Sequence, residues 1–323
     1  MPDVFSTTTS GLGSNLVTMA YDKLIEINLR STPQFRAIAD KKVGNPTHDG
    51  SSIRFQFHND IADTTIAGAT LAETVDPDAV ALPATTTLDV AQTELGRVVL
   101  PTRKLSLMTL ADVDPWIANA VAFNMAMTLD NGIAAVLDAG TNVIRESAGA
   151  LSTSAAKTTI TATDTFKGRD VRYAVTKLRA SNVLTRGGMY VSYIHPEVSH
   201  DLRTETGNNI WRTPHEYQNA GPLLAGELGA WEGVRFIESP TMTNTQSGSG
   251  AGGTQTRVYN TYVLGQQALA EAVWKEPGIE FGNVVDKLNR FRPVGWHGII
   301  NWAVFRQAAL YRIETASTVR PNA

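Results

Sequence analysis

Residues 55–96 read FQFHNDIADTTIAGATLAETVDPDAVALPATTTLDVAQTELG, and they hold no Lys or Arg while Asp60, Asp63, Glu73, Asp76, Asp78, Asp89 and Glu94 supply acid. No aromatic residue stands between Phe57 and Trp116. The two ends have β-branched and alternating character, Ser52-Ile53-Arg54-Phe55-Gln56-Phe57 and Thr85-Thr86-Thr87-Leu88-Asp89-Val90, the pattern of half-buried strands. The middle is too thin in apolar residues to form a core. A long two-stranded excursion is therefore predicted. An isolated hairpin is marginal in water, so this one is expected to lie on a neighbouring subunit.

Around that stretch the chain is ordinary. Its 323 residues are 42% hydrophobic and 18% charged, a globular composition with length for one large or two modest domains. A formal net charge of -3 lacks the basic excess that tight nucleic-acid binding requires. The absence of Cys removes disulfides, thiolate catalysis and thiolate metal sites together. The start, Met1 to Ser6, has neither the basic nor the apolar region of a secretory signal. The most apolar run, Trp116 to Leu129, is interrupted by Asn119 and Asn124 and closed by Asp130, short of the ~20 residues a membrane helix needs. A soluble chain without membrane contact is expected.

Residues 1–13 read as a flexible arm. Ser14 or Asn15 opens an amphipathic helix carrying Leu16, Met19, Ala20, Leu24 and Ile27, limited by Pro33. Leu95 to Leu107 is strand-like and broken by Pro101. Then comes the clearest helix: Asp112 or Asp114 at its cap, Pro115 at the first helical position, and Gly140 just past its end. Its apolar set, including Trp116, Ile117, Val121, Phe123, Met127, Ile133 and Leu137, is wider than a surface stripe, which predicts a central spine. Residues 146–163 read as a connector, and Asp164 is expected to cap a second helix. That helix buries Phe166, Val171, Val175 and Leu178 and carries Lys167, Arg169, Arg172, Lys177 and Arg179 elsewhere. Beyond Gly188 the pattern turns to strands at 189–194, 234–237, 258–264, 296–305 and 310–313, with a Gly/Ser-rich surface loop at Thr241 to Thr256.

Candidate chemistry is thin. His195-Pro196-Glu197-Val198-Ser199-His200 spaces its histidines by five, with Pro directly after the first. A zinc helix needs His-Glu-x-x-His, so a strand ending at His195 and a helix starting at Pro196 is the better account. The Asp112/Asp114 and Asp76/Asp78 pairs are explained by capping and by a turn beside Pro77. Gly11-Leu12-Gly13 lacks the rest of a dinucleotide fingerprint. No Gly-x-Ser-x-Gly elbow occurs. Neither a catalytic residue, a metal site nor a cofactor is expected.

The order of these parts resembles the major capsid proteins of tailed bacteriophages. Three local patterns carry the resemblance. They are Tyr190-Val191 through His195-Pro196 to Asp201-Leu202; Ala225-Gly226-Glu227-Leu228-Gly229 followed by Trp231 to Pro240; and Val263-Leu264-Gly265 with Ala268-Leu269. The resemblance implies an α+β, Hong Kong 97-like capsid fold. It implies an N-terminal arm and helix at 1–49 and an extended β-hairpin loop at 50–96. A peripheral domain with the spine helix would span 97–163. An α/β axial domain would span 164–323, its C-terminal strands returning toward the peripheral domain.

By the same resemblance the protein builds pentamers and hexamers of an icosahedral virion shell around double-stranded DNA that it contacts only weakly, with assembly in the host cytoplasm. The implied partners are its own copies, a separate scaffolding protein, a portal protein and a decoration protein. Some members of this fold cross-link their loops through a Lys and an Asn. Here no Lys lies between Lys42 and Lys104, so the loop has no amine to give. For the inter-subunit contacts, Asp60, Asp63, Glu73, Asp76 and Asp78 are expected to meet Arg169, Arg172 or Arg179 of a neighbour. Two rivals stand beside this reading: the shell of an encapsulin-type nanocompartment, and a soluble enzyme or binding protein with a site near His195 and Glu227. A container wall must release its polymer, so the isolated subunit is expected to bind DNA weakly and salt-sensitively; a filter-binding titration giving tight binding at physiological salt would contradict it.

Overall fold

The computed structural model describes residues 33–44, 50–61, 64–71, 73–74, 76, 79–108, 114–205, 227–242, 244–248, 256–283, 286, 288 and 290–320. The helix expected between Ser14 and Pro33 lies outside them, as does Asp112. In chain order the elements are β1 (Asp40–Val43), β2 (Ser52–Phe57), α1 (Ile66–Ala69), β3 (Thr86–Ala91), β4 (Glu94–Val99), α2 (Arg103–Met108) and α3 (Asp114–Asp138). There follow β5 (Val143–Ser147), β6 (Ala150–Ser152), α4 (Gly168–Ala180), β7 (Tyr190–Ile194), α5 (Pro196–Thr204), β8 (Glu227–Trp231), β9 (Val234–Glu238) and β10 (Asn244–Gly248). The chain closes with β11 (Thr256–Leu264), β12 (Leu269–Phe281), β13 (Val294–Val304) and β14 (Leu310–Thr315).

The strands form a four-stranded sheet in the order β1-β12-β13-β4, an eight-stranded sheet in the order β6-β5-β14-β11-β7-β9-β8 with β10 beside β11, and the two-stranded β2-β3 hairpin. The helix α3 joins the two larger sheets. Ala, Leu and Met fill much of it, and these are strong helix formers. Ile117 and Val121, four apart, pack on Val294 and Trp296 of β13. Leu129, Ile133 and Leu137 continue the same spacing into a core shared by Tyr193, Tyr262 and Leu264 of the large sheet and Ile300 and Trp302 of the small one. Each such buried side chain is worth about 1.5–3 kcal/mol. Close approach sets two glycines: a Cβ at Gly132 would lie 2.9 Å from the Trp302 ring, and one at Gly140 would lie 2.6 Å from Leu310. By length and composition α3 could cross a bilayer. It serves instead as the shared core helix, and it runs on past Asp130 to Asp138, beyond the apolar run that the sequence marks out.

Asp130, which closes the apolar run of that helix, has a purpose. Its Oδ1 accepts the Gln34 and Phe35 amides at 3.1 and 2.8 Å, and the Tyr193 hydroxyl donates to the Gln34 carbonyl at 3.1 Å. Phe35 is thereby held in the core against the Tyr193 ring. Burial pushes the Asp130 carboxyl above its ordinary range, and the two amides offset only part of that rise.

Several local expectations are corrected. After β4 the chain forms α2, so the strand-like reading of 95–107 stops at Val99. Asp164 does not cap α4: buried, it accepts the Thr161, Ala148 and Gly149 amides, while Asp170 accepts the Lys167 amide at the true helix start. The connector expected at 146–163 begins inside β5 and supplies β6, which pairs with it at the edge of the large sheet. Part of the loop at 241–256 is β10, paired with β11. The 13-residue β12 was not expected at all.

Asp130→Ala strands the Gln34 and Phe35 amides inside the protein, and an unpaired buried group costs about 1–3 kcal/mol. Urea unfolding is expected to register a loss of that order. Asp130→Asn, which keeps an acceptor oxygen, is expected to lose less; equal losses would show that the amides are not what Asp130 holds.

Candidate assembly surfaces

The hairpin predicted from 55–96 is fastened at its base. Its register runs from Ser52 opposite Ala91 to Phe57 opposite Thr86. Alternation turns Ile53, Phe55 and Val90 to one side, where they bury against Ala270, Ala272 and Trp274 on the outer face of the small sheet. Phe305 packs on the rings of Phe55 and Phe57 at 5.2 and 4.7 Å. On the hairpin's other face Arg54 Nε donates to Asp89 Oδ1 at 2.7 Å. That hydrogen bond lowers the Asp89 carboxyl and raises the Arg54 guanidinium. Asn301 Nδ2 donates to the Ala91 carbonyl at 2.8 Å, and Lys42 Nζ to the Arg54 carbonyl at 2.6 Å.

Past this base the character changes. Asp60, Glu73 and Asp76 are exposed and have no cation partner among the described residues; Asp63 and Asp78 lie outside them. Ile66 is 89% and Leu82 80% exposed, with Ile61, Leu71 and Val80 also open to solvent. The outer half of the hairpin thus combines unpaired acid with uncovered apolar side chains.

The expected basic partners sit on α4, against the large sheet. Arg169 grips Glu146 through Nε and Nη2 at 2.8 and 2.6 Å. Arg172 Nε donates to Glu232 at 2.9 Å, with its guanidinium over Trp231. Arg179 is exposed and has no acidic partner among the described residues. Two of the three arginines therefore already have carboxylates of their own, and among the described residues none meets the hairpin acids within the subunit.

A second basic surface escaped sequence reasoning. An isolated bridge pairs Thr102 with Phe291, and the Arg103 amide donates to the Arg290 carbonyl at 2.9 Å. The segments flanking β4 and β13 are thereby joined at the distal end of the small sheet, which collects Arg103, Lys104, Arg290 and Arg292. Lys104 and Arg292 have no acidic partner among the described residues, and Arg292 lies over Phe281. Leu107 is 77% and Phe281 62% exposed there. The one signal in the sequence was the return of cations at Arg97, Arg103 and Lys104 just after the cation-free stretch. The partner segment is 187 residues further on, at Arg290 and beyond, so spacing alone could not join them.

The His195 region resolves as expected, with β7 ending before His195 and α5 beginning at Pro196. His195 Nδ1 accepts the Glu197 amide at 3.2 Å, and burial holds its imidazole below the ordinary range. Among the described residues no group of His, Asp or Glu is arranged to hold a metal.

Comparison with known proteins agrees with this architecture. The sequence profile of a family described as phage capsid protein matches residues 18–306. No curated protein matches the chain. The capsid subunit of cyanophage Pam1 superposes with a TM-score of 0.73 at 15% identity, covering 97% of this chain and 100% of that one. The capsid of Ralstonia phage GP4 gives 0.72 at 14% identity over 97% and 98%. The capsid of an empty GTA particle gives 0.64 at 15% over 97% and 99%. These likenesses show the Hong Kong 97-like capsid fold.

Behind Arg169 lie two fully buried carboxyl groups, Glu146 and Asp170, and Asp170 Oδ1 has no donor. Burial first, then the adjacent Glu146, push the Asp170 carboxyl up to about 8. The folded chain thus keeps a proton that the unfolded chain releases near the ordinary carboxylate value of about 4. Its contribution to stability is whole below that value and is lost as pH rises toward about 8. Asp170→Asn supplies a permanent N–H toward Glu146 and keeps an acceptor for the Lys167 amide. Melting temperatures of the parent are expected to fall between pH 5 and 9 while the variant's profile is flatter; parallel profiles would refute a proton held on Asp170.

Proposed function

The chain belongs to the phage capsid protein family, and from that premise we propose how one subunit is divided and what it meets. It is a major capsid protein, a structural component of the virion whose copies build the shell. The proposed division keeps residues 1–49 as the arm, 50–96 as the extended loop, 97–163 as the peripheral domain and 164–323 as the axial domain. One refinement follows from the topology. Strands β12 and β13 return to the small sheet under α3, and β5 and β6 go to the large one, so the peripheral unit is the small sheet with α3 and the axial unit is the large sheet with α4.

The proposed mechanism is assembly into pentamers and hexamers around double-stranded DNA, with no bond made or broken. One observation carries it: a hairpin firmly fixed at its base exposes Ile66 and Leu82 almost fully and leaves its acids unanswered. Such a surface is stable only when covered, and contacts repeated around a closing ring cover every copy's loop alike. A separate scaffolding protein, a portal protein and a decoration protein are proposed partners, and the host cytoplasm is the proposed place of assembly. A nanocompartment shell is not favoured, since the matching family is that of phage capsids. For the contacts, Asp60, Asp63, Glu73, Asp76 and Asp78 are proposed to meet cations of a neighbour. Of the arginines expected from sequence, Arg179 is the one free to answer, because Arg169 and Arg172 would first have to leave Glu146 and Glu232.

Electron microscopy of the chain expressed with its scaffold tests this. Closed shells, or rings of five and six, are the expected products. Replacing residues 60–84 by a short Gly-containing turn is expected to leave the melting temperature close to the parent's, since the β2–β3 base remains, and to abolish particles. A parent that stays monomeric under every condition would overturn the shell reading.

A further inference from the structure

One buried carboxylate of the large sheet faces three cations. Glu314, on β14, is 1% exposed. Arg145 of β5 donates to its Oε2 at 2.6 Å, Arg312 Nε lies 3.0 Å from its Oε1, and Lys157 Nζ lies 3.9 Å from that same oxygen. The last distance is too long for a hydrogen bond, and the buried Arg312 Nε has no acceptor aligned with it. The neighbouring carboxylate is engaged elsewhere. Asp138 Oδ1 accepts Asn260 Nδ2 at 2.6 Å and the Tyr262 hydroxyl, and the Asp138 carbonyl takes Arg312 Nη1. The charged groups that face Lys157 are Glu314 and Asp138 against Arg312 and Arg145, so with Lys157 itself three cations stand against two carboxylates. Burial pulls the Lys157 ammonium below its ordinary value, and the two arginines act in the same direction against the pull of Glu314.

We propose that Arg145, Lys157 and Arg312 form a phosphate-binding site near the β5–β6 edge of the large sheet, with Lys157 as the cation that reaches the ligand. A partly buried group of charges with one cation in excess is stabilised by an added anion. Lys157 is the most open of the three, its side chain 24% exposed against 18% for Arg145 and 12% for Arg312. The chain around it, Ser152-Thr153-Ser154-Ala155-Ala156-Lys157-Thr158-Thr159, carries hydroxyls and no acid, with Thr153, Ser154 and Thr158 exposed. Arg145 Nη1 holds this segment over the cluster through the Ala155 carbonyl at 2.7 Å. Guanidinium, ammonium and hydroxyl donors together suit phosphate oxygens. A carboxylate ligand would find its place already taken by Glu314, whereas a tetrahedral phosphate can also turn oxygens toward the hydroxyls. The source of the phosphate rests on the shell reading above: a backbone phosphate of the enclosed DNA. One such contact per subunit keeps binding weak and salt-sensitive.

The full-length chain is melted in inorganic phosphate and in chloride at matched ionic strength. Phosphate strengthens burial in any protein, so the readout is the excess of the parent's rise over that of Lys157→Gln. An excess of ~2 °C or more is expected, with Lys157→Arg behaving as the parent. An equal rise in all three proteins would overturn the site. Short duplex DNA then identifies the source. Lys157→Gln is expected to lower the slope of log K against log salt by ~0.9, the share of one phosphate. A phosphate excess with an unchanged slope would assign the site to free phosphate and remove DNA as its ligand. Neither measurement needs particles, so a parent that never assembles would strike the shell reading and leave the phosphate site standing.

Discussion

Everything in this subunit depends on one helix being shared by two sheets. The face of α3 that carries Ile117, Val121, Leu129, Ile133 and Leu137 meets the small sheet along its first half and both sheets along its second. A hydrophobic face of this kind is non-directional, so apolar burial alone would tolerate sliding. Polar contacts supply the register. Asn124 accepts the Trp296 indole N–H at 3.1 Å, Asp130 holds the Gln34 and Phe35 amides, and Asp138 accepts the Asn260 side chain at 2.6 Å. Each lies where the apolar spacing is broken, and each binds a different element.

The parts legible in the sequence were those whose pattern is local. The spine helix announced itself through Asp114-Pro115 and Gly140, the hairpin through alternation at both ends, and the His195-Pro196 junction through proline's place at a helix start. What was missed depends on tertiary partners. The strand β12 reads Leu-Ala-Glu-Ala-Val-Trp-Lys-Glu-Pro-Gly-Ile-Glu-Phe, in which the strand formers Val, Trp, Ile and Phe are diluted by Ala, Glu, Lys and a Pro-Gly pair. It is a strand because Ala270 and Ala272 lie under the hairpin, where small side chains let another layer approach. Pro277 is accommodated where the register shifts between Lys275 and Gly278, beyond the reach of β1, so no ladder bond is lost there. Asp164 has the sequence look of a helix cap, yet its carboxylate instead closes the turn between β5 and β6. Nothing in local pattern distinguishes the two roles.

The candidate contact surface was legible by half. A cation-free, acid-bearing stretch is visible in a string of letters, and it predicted an external partner, with Arg169, Arg172 or Arg179 of a neighbour as the expected contact. The basic side required the fold. Four cations on α4 and Lys167 just before it form a dense run, and sequence reasoning favoured Arg169, Arg172 and Arg179 for that reason. Three-dimensional pairing shows that two of the three expected arginines already hold carboxylates of their own subunit. Arg169 is tied bidentately to a fully buried Glu146, and breaking a buried pair costs far more than an exposed one returns. Lys104 and Arg292 carry no such commitment.

A protein that leaves its largest exposed apolar side chains on a slender, well-anchored hairpin and on one sheet end has arranged its stability in two stages. The subunit folds around α3 with its hairpin base already fixed, so joining a neighbour does not require ordering the root of the loop, and the entropy charged to association is smaller. In the proposed assembly the remaining apolar surface is covered by neighbours, and stability then rises with subunit concentration. In that proposed assembly the unpaired acids of the hairpin serve a separate purpose. Exposed ion pairs add little energy, but they orient encounters and penalise the wrong ones. A lattice built from many weak, correctly oriented contacts can correct a misplaced subunit before it is trapped, which a lattice held by a few tight contacts cannot do.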